Sequence, residues 1–196
     1  LNTASNMLAL FGNNTELTIY AQYTEVGNFV VIYSAVGADE ETIPTDNTQY
    51  NIAETSIIKI PNQEPKKLGY TFEGWKTGTD DTVYKYGTQN DTYTVPNDIS
   101  GAITFIAQWS INEYKITYEL NGGINAENAP VSYTIETDTI TLPVPTKDGY
   151  NFEGWYTDAA FENAVAAIAK GSVGDMVLYA KWSEKDMAVY KINSYE

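Results

Sequence analysis

The chain has 196 residues and a net charge of −15, contains no Cys and no His, and draws all eleven of its basic residues from Lys. These absences exclude disulfides, thiolate metal sites and a cysteine nucleophile, and they remove the commonest general base, the commonest transition-metal ligand and any guanidinium clamp for phosphate. The acidity argues against nucleic acid and anionic membrane surfaces, which are both held by Lys and Arg, and no run approaches the ~20 apolar residues that span a bilayer.

In chain order, Leu1 opens no basic stretch followed by an apolar core, so no signal peptide is visible. Residues 1–25 read as the C-terminal part of a repeat. Their closing run, Leu17-Thr18-Ile19-Tyr20-Ala21-Gln22-Tyr23, returns as Ile103 to Trp109 and again as Met176 to Trp182. A chain that repeats one supersecondary unit is an array, and arrays more often space, stick or scaffold than catalyse.

Residues 28–110 form the first full repeat. Phe29, Val31 and Tyr33 occupy the places that Tyr114, Ile116 and Tyr118 hold in the second repeat, with the period of a half-buried strand. Ala35-Val36-Gly37 is a turn. Tyr50-Asn51-Ile52 and Ile57-Ile58-Lys59-Ile60 are further strands, and Pro61 ends the second because proline cannot donate to a ladder. Gly69 to Trp75 is the next strand, and Asp80 to Gly87 reads as turn and strand. Ile103, Phe105, Ala107 and Trp109 share one face of the closing strand. Ser110-Ile111-Asn112 then joins the repeats, a link short enough for a semi-rigid chain of domains.

Residues 112–184 form the second full repeat. Tyr114, Ile116, Tyr118 and Leu120 alternate with polar residues, and Asn121-Gly122-Gly123 supplies a turn that tolerates positive φ. Strands follow at Val131 to Ile135 and Thr139 to Pro143. Ala159 to Lys170 is Ala-rich and carries Phe161, Val165 and Ile168 at helical spacing, which predicts a short helix ending at Gly171. Met176, Leu178, Ala180 and Trp182 share the buried face of the closing strand. Residues 185–196 read as a tail or the start of a further repeat.

Gly69-Tyr70-Thr71-Phe72-Glu73-Gly74-Trp75 recurs as Gly149-Tyr150-Asn151-Phe152-Glu153-Gly154-Trp155. In a plain strand Phe72 and Trp75 would face opposite ways, as would Phe152 and Trp155. Gly74 and Gly154 therefore predict a bulge that turns each Trp back into the core. Small domains need bulky side chains to be stable, so the core is expected from Trp75, Trp109, Trp155 and Trp182 with Tyr70, Phe72, Tyr150 and Phe152.

This motif, followed by Leu178-Tyr179-Ala180-Lys181-Trp182 and its counterparts, resembles the Listeria–Bacteroides repeat family, also called the internalin-type B repeat. The second repeat matches nearly throughout. The first departs at Ala35-Val36-Gly37, where Asn-Gly-Gly is expected, and carries an insertion before Trp109. The resemblance implies an α+β, strand-dominated fold of tandem small β-grasp (ubiquitin-like) modules. It also implies an extracellular place on a bacterial cell surface, in arrays linked to adhesion, and it implies no catalytic residues.

The expected function is thus a non-catalytic tandem repeat region, acting as an adhesion or protein-interaction module or as a spacer stalk. Its partners would be a host or bacterial surface protein, or a glycan in the alternative below, and neighbouring repeats. No cofactor or metal is expected: Asp80-Asp81 lies in no calcium-binding loop pattern. The alternative is a carbohydrate-binding module, because Tyr rings stack on sugars. Tyr84, Tyr86 and Tyr93, in the region particular to the first repeat, are its candidate contacts. Glu73 and Glu153 sit beside aromatics as glycosidase carboxylates do, but a residue made twice, at equivalent places, reads as surface patterning rather than as a catalytic pair.

Overall fold

The computed structural model describes residues 27–78 and 81–186. The expectations for residues 1–25, for residues 187–196 and for Asp80 lie outside these.

The first repeat contains β1 (Asn28–Ser34), β2 (Gln49–Asn51), β3 (Ile57–Lys59), β4 (Tyr70–Lys76), β5 (Thr92–Thr94) and β6 (Gly101–Ile111). Its main sheet has the order β2-β1-β6-β4, while β3 and β5 pair separately. The second contains β7 (Tyr114–Glu119), β8 (Ser132–Tyr133), β9 (Ile140–Thr141), β10 (Tyr150–Tyr156), β11 (Ala164–Val165), β12 (Ala167–Ile168) and β13 (Met176–Glu184). Its main sheet runs β11-β10-β13-β7-β8, and β12 pairs with β9. In both, the first and last long strands lie side by side in parallel, β1 with β6 and β7 with β13. Parallel neighbours need a long crossover, and here the crossover is everything between them.

Alternation decides which face is buried. Phe29 and Val31 point into the core and Val30 and Ile32 outward; Ile103, Phe105 and Ala107 do the same from β6. The rings of Tyr33 and Phe105 stack at 5.4 Å, and Tyr84 and Tyr93 meet Phe105 edge-on. Ile116, Tyr133, Leu142, Trp155, Ile168, Leu178 and Ala180 build the second core. Each large side chain buried this way contributes roughly 1.5–3 kcal/mol.

The Gly-Trp bulge is present twice. Phe72 faces Trp109 across the ladder, but Gly74 already faces Gln108, so Glu73 is the extra residue. Phe152 faces Trp182 and Gly154 faces Lys181 in the same way. The slip puts Phe72 and Trp75 on one side, with ring centroids 5.0 Å apart, and Phe152 with Trp155 at 5.4 Å. The bulged carboxylates stay on the outer face, where Glu73 accepts from Ser110 Oγ at 2.5 Å and Glu153 from the Ser183 hydroxyl.

The helix expected at Ala159 to Lys170 does not form, and the α part of the α+β expectation is corrected with it. Among the described residues the helical structure is the short 3-10 helix Glu40–Thr42. Ala164-Val165 pairs with Trp155-Tyr156, and Ala167-Ile168 pairs with Ile140-Thr141. Sheet edges claim the backbone that a helix would have used, so tertiary pairing overrides local propensity. The first repeat makes the equivalent pairings with Tyr84, which bridges to Trp75, and with β5. Its insertion therefore lies at residues 85–91, after Tyr84, and Lys85 N donates to Asn90 O at 3.1 Å to close that turn.

Two outcomes follow for stability. A Cβ on Gly74, at φ 139°, would lie 2.5 Å from Val83 Cγ1 and 2.8 Å from the Tyr84 carbonyl oxygen, whereas one on Gly154, at φ 137°, meets nothing closer than 3.9 Å. Urea denaturation should show Gly74→Val losing about 3 kcal/mol or more, from strain and overpacking together, and Gly154→Ala about 1–2 kcal/mol from backbone strain alone. Equal losses would contradict the packing account. Secondly, burial raises the Tyr33 phenol above its ordinary value, with Asp46 and Tyr50 adding to the effect, and burial raises Tyr118. A raised folded value means that this stability is intact below the unfolded value of about 10 and is lost as pH climbs beyond it. Melting temperature should therefore fall above about pH 10, and less steeply in Tyr33→Phe.

Candidate functional site

Each repeat carries the same corner at the start of its bulged strand. In the first, the Lys67 ammonium lies 4.1 Å from the Tyr70 ring centroid and 5.8 Å from that of Trp109. In the second, Lys147 lies 4.2 Å from Tyr150 and 5.9 Å from Trp182. A cation over aromatic faces is worth about 0.5–1 kcal/mol when exposed. The lysine stems run along turn glycines at positive φ. A Cβ on Gly37 would be 3.5 Å from Lys67 Cε, and one on Gly122 would be 3.6 Å from Lys147 Cε. Lys147 Nζ also donates to Asn121 O at 2.8 Å, and Trp182 Nε1 to Leu120 O at 2.9 Å.

A shallow groove of about 560 Å³ opens at the second corner, lined by Lys147, Tyr150, Phe161, Lys181 and Trp182 among others. Its far wall is the loop after β10. There Asp158 accepts from Glu162 N at 3.1 Å and from Asn163 N at 2.8 Å, and these backbone bonds hold its carboxyl below the usual carboxylate range. The loop sets Phe161 at φ 58° with its ring edge-on to Tyr156, and Lys181 stands 5.1 Å from the Tyr156 ring. The surface gathers two ammonium groups and several ring faces on a strongly acidic chain. It suits a carboxylate, or an apolar group flanked by one.

The second repeat packs against the first corner, beside a groove of about 500 Å³ lined by Lys67, Gly69, Tyr70 and Phe72 among others. Tyr70 Oη donates to the Glu136 carboxylate, and this bond is the main reason its phenol is raised. Thr71 Oγ1 lies 2.6 Å from Asn112 Oδ1, and Asn112 N donates to Gly69 O at 2.9 Å. Gly69 is buried, with Ile135 pressed onto it.

The sugar-contact residues expected from sequence do not form one surface. Tyr84 and Tyr93 are 9% and 4% exposed and fill the core, whereas Tyr86 is 48% exposed. The correction has the same cause as the aromatic richness itself: a small core is filled with rings. Of the motif residues, Trp75, Trp155 and Phe72 are buried, while Tyr70, Tyr150, Trp109, Phe152, Trp182 are half-buried and Gly74 and Gly154 form the bulges. The Lys67 and Lys147 positions were missed by sequence reasoning. Their signal is Lys two residues before each Gly-Tyr, at Lys67-Leu68-Gly69-Tyr70 and Lys147-Asp148-Gly149-Tyr150. Among the described residues no group of three or more acidic side chains converges as a metal site.

Comparison with known proteins gives a consistent picture. A model of the Listeria-Bacteroides repeat domain matches residues 29–108 and 114–181. A protein of Evansella cellulosilytica named as a Gly-rich membrane protein is 32% identical over 176 residues, which cover 88% of this chain and 19% of that protein. Internalin H of Listeria monocytogenes is 33% identical over 144 residues, covering 71% of this chain and 24% of internalin H. The chain thus spans about a fifth to a quarter of the curated relatives it matches. No solved structure matches it significantly.

The two corners make different demands on their glycines. Gly69→Ala, at φ 78°, places a Cβ 2.7 Å from Ile135, whereas Gly149→Ala, at φ 76°, meets nothing within 4 Å among the described residues. Backbone strain of about 1–2 kcal/mol is common to both. Thermal melts should show Gly69→Ala as the more damaging of the two, with the excess removed by Ile135→Gly in the double variant, since the Ile135 Cβ is itself among the atoms in the way. Equal melting points for the single variants would sink the contact.

Proposed function

The chain belongs to the Listeria-Bacteroides repeat domain family, and on that footing we propose that it is a non-catalytic repeat region of a bacterial cell-surface protein, an adhesion or protein-interaction module carried on a spacer stalk. The observation that carries this reading is one strand plan built twice in tandem, with a short link between the copies. The likeness to internalin H and to a relative named as a membrane protein supports a place at the cell envelope. Among the described residues no helix is long and apolar enough to cross a membrane, so in this reading anchoring falls to other parts of a longer protein. The strand order, with parallel first and last strands flanked by antiparallel neighbours, supports a β-grasp plan in which short strands replace the helix.

Carbohydrate binding is the second reading. It no longer rests on Tyr84 and Tyr93, which are core. The groove of Tyr150, Phe161 and Trp182 offers ring faces instead, and partly exposed rings can stack on a sugar.

The test is antibody labelling of intact bacteria that make the full parent protein, together with a glycan array probed with residues 1–196. Labelling without permeabilisation, removed by external protease, and a silent array are expected. Labelling only after permeabilisation would sink the surface reading. A specific glycan signal abolished by Phe161→Ala would replace protein interaction with sugar binding.

A further inference from the structure

The start of β4 and the start of β10 are one corner in two states. Around Gly69 it is engaged: Ile135 of the second repeat packs on the glycine, and the Glu136 carboxylate accepts from the Tyr70 hydroxyl. Around Gly149 it is open: the residue is exposed, and among the described residues nothing lies within 4 Å of where a Cβ would stand. In three further respects the two corners agree. Their glycines sit at φ 78° and 76°. Their lysines stand at 4.1 and 4.2 Å over the tyrosines. The chain leaves each repeat through the same hydrogen bond, Asn112 N to Gly69 O and Lys185 N to Gly149 O, both at 2.9 Å. At both corners, then, the residue that follows the closing strand is tied to the glycine carbonyl.

We propose that Gly149-Tyr150 is a docking site for a further copy of this repeat. The occupant presents the turn that follows β8, with an aliphatic side chain against Gly149 and a carboxylate on the Tyr150 hydroxyl. Lys147 and Lys181 line the same groove and complement that carboxylate. The inference rests on the tandem-repeat reading and is independent of cell location.

The aliphatic half of the contact is present in each repeat. In the second, Thr137 N donates to Thr134 O at 3.1 Å and Glu136 N to Thr134 Oγ1 at 3.3 Å, which holds Ile135 and Glu136 at the tip of a turn. In the first, Glu54 N donates to Asn51 O at 3.0 Å and Ala53 N to Asn51 Oδ1 at 2.9 Å. The strand registers make Tyr50 the counterpart of Tyr133, since they face Phe29 and Tyr114. Ile52 therefore stands where Ile135 does, and Ala53 where Glu136 does. Every repeat thus has an aliphatic tip at one end and a Gly-Tyr corner at the other, the geometry of a head-to-tail array. The carboxylate is particular to the second repeat.

Two lengthened chains test the site. In one, residues 1–184 are followed by a second copy of residues 112–186; in the other, by residues 27–186. Both keep register because Glu184 takes the place of Ile111. Nuclear Overhauser contacts are measured between Gly149 Hα and the methyls of the appended Ile135 or Ile52, with Gly69 and the native Ile135 as the internal reference. Contacts at Gly149 matching the reference are expected, and stronger in the chain whose occupant has Glu136. Contacts in either chain establish the site; their absence from both overturns it. Intact contacts with no surface labelling would fail only the cell-surface reading, and lost contacts with surface labelling would fail only this one.

Discussion

A strand alternates its side chains, and a small core needs every large ring it can obtain; the Gly-Trp bulge reconciles the two demands. Without the extra residue at Glu73, Phe72 and Trp75 would lie on opposite faces and one of them would be left in water. With it, both enter the same core, and the ladder to β6 resumes one residue later. Glycine is required there because φ is near 139° and because Val83 and Tyr84 press against the space a Cβ would fill. The second repeat keeps the bulge and the φ but not the pressure, so the feature serves ring placement first and close packing second. The corner follows from it as well. Phe72 supports Trp109, and Phe152 supports Trp182, and these half-buried indoles carry the lysine and tyrosine of each corner.

Charge sets the context in which those corners act. At −15 the chain repels itself and other acidic surfaces. The lysines are few, and each corner spends one on aromatic faces rather than on a surface ion pair. An exposed ion pair such as Lys170 with Asp138 gives little in water. A lysine lying over two rings beside a tyrosine hydroxyl instead makes a local spot that a carboxylate can approach without repulsion. Glu136 does so at the first corner. An acidic chain can therefore hold its own repeats together where its average charge would drive them apart.

Much of the strand plan was legible because period-two patterns are unambiguous when one face is buried. Phe29, Val31, Ile103, Phe105, Leu178 and Ala180 all fall on the face their alternation assigns. The bulges were legible because a glycine stood between two rings that both needed burial. What misled was local sequence read without its sheet. Phe161, Val165 and Ile168 have helical spacing, yet β9 and β10 offer unpaired edges that take the same residues as strands. Tyr84 and Tyr93 lie in an insertion, and an insertion suggests a surface feature. In the fold the insertion is only the turn at 85–91, and the two rings flank it inside the core. The corner was illegible for a different reason. Gly69 and Gly149 stand in nearly identical sequence, and only the position of the next repeat distinguishes them.

That last point bears on how such a chain behaves at length. When each repeat touches only its neighbours, stability is a sum of repeat terms and junction terms. A junction made of one aliphatic tip, one glycine and one hydroxyl–carboxylate bond is small, so it restrains direction more than it adds stability. Restraint is what the proposed spacer stalk needs. The link from Trp109 to Tyr114 is too short to let the repeats wander far, and the Asn112 to Gly69 hydrogen bond ties its middle to the preceding corner. A modest contact then suffices to choose one orientation among the few the link allows. Swapping Glu136 for Ala, as the first repeat does at Ala53, would leave the tip in place and remove the directional bond. An array can therefore set its stiffness junction by junction through the residue at that turn, while the β-sheets that build each repeat stay the same.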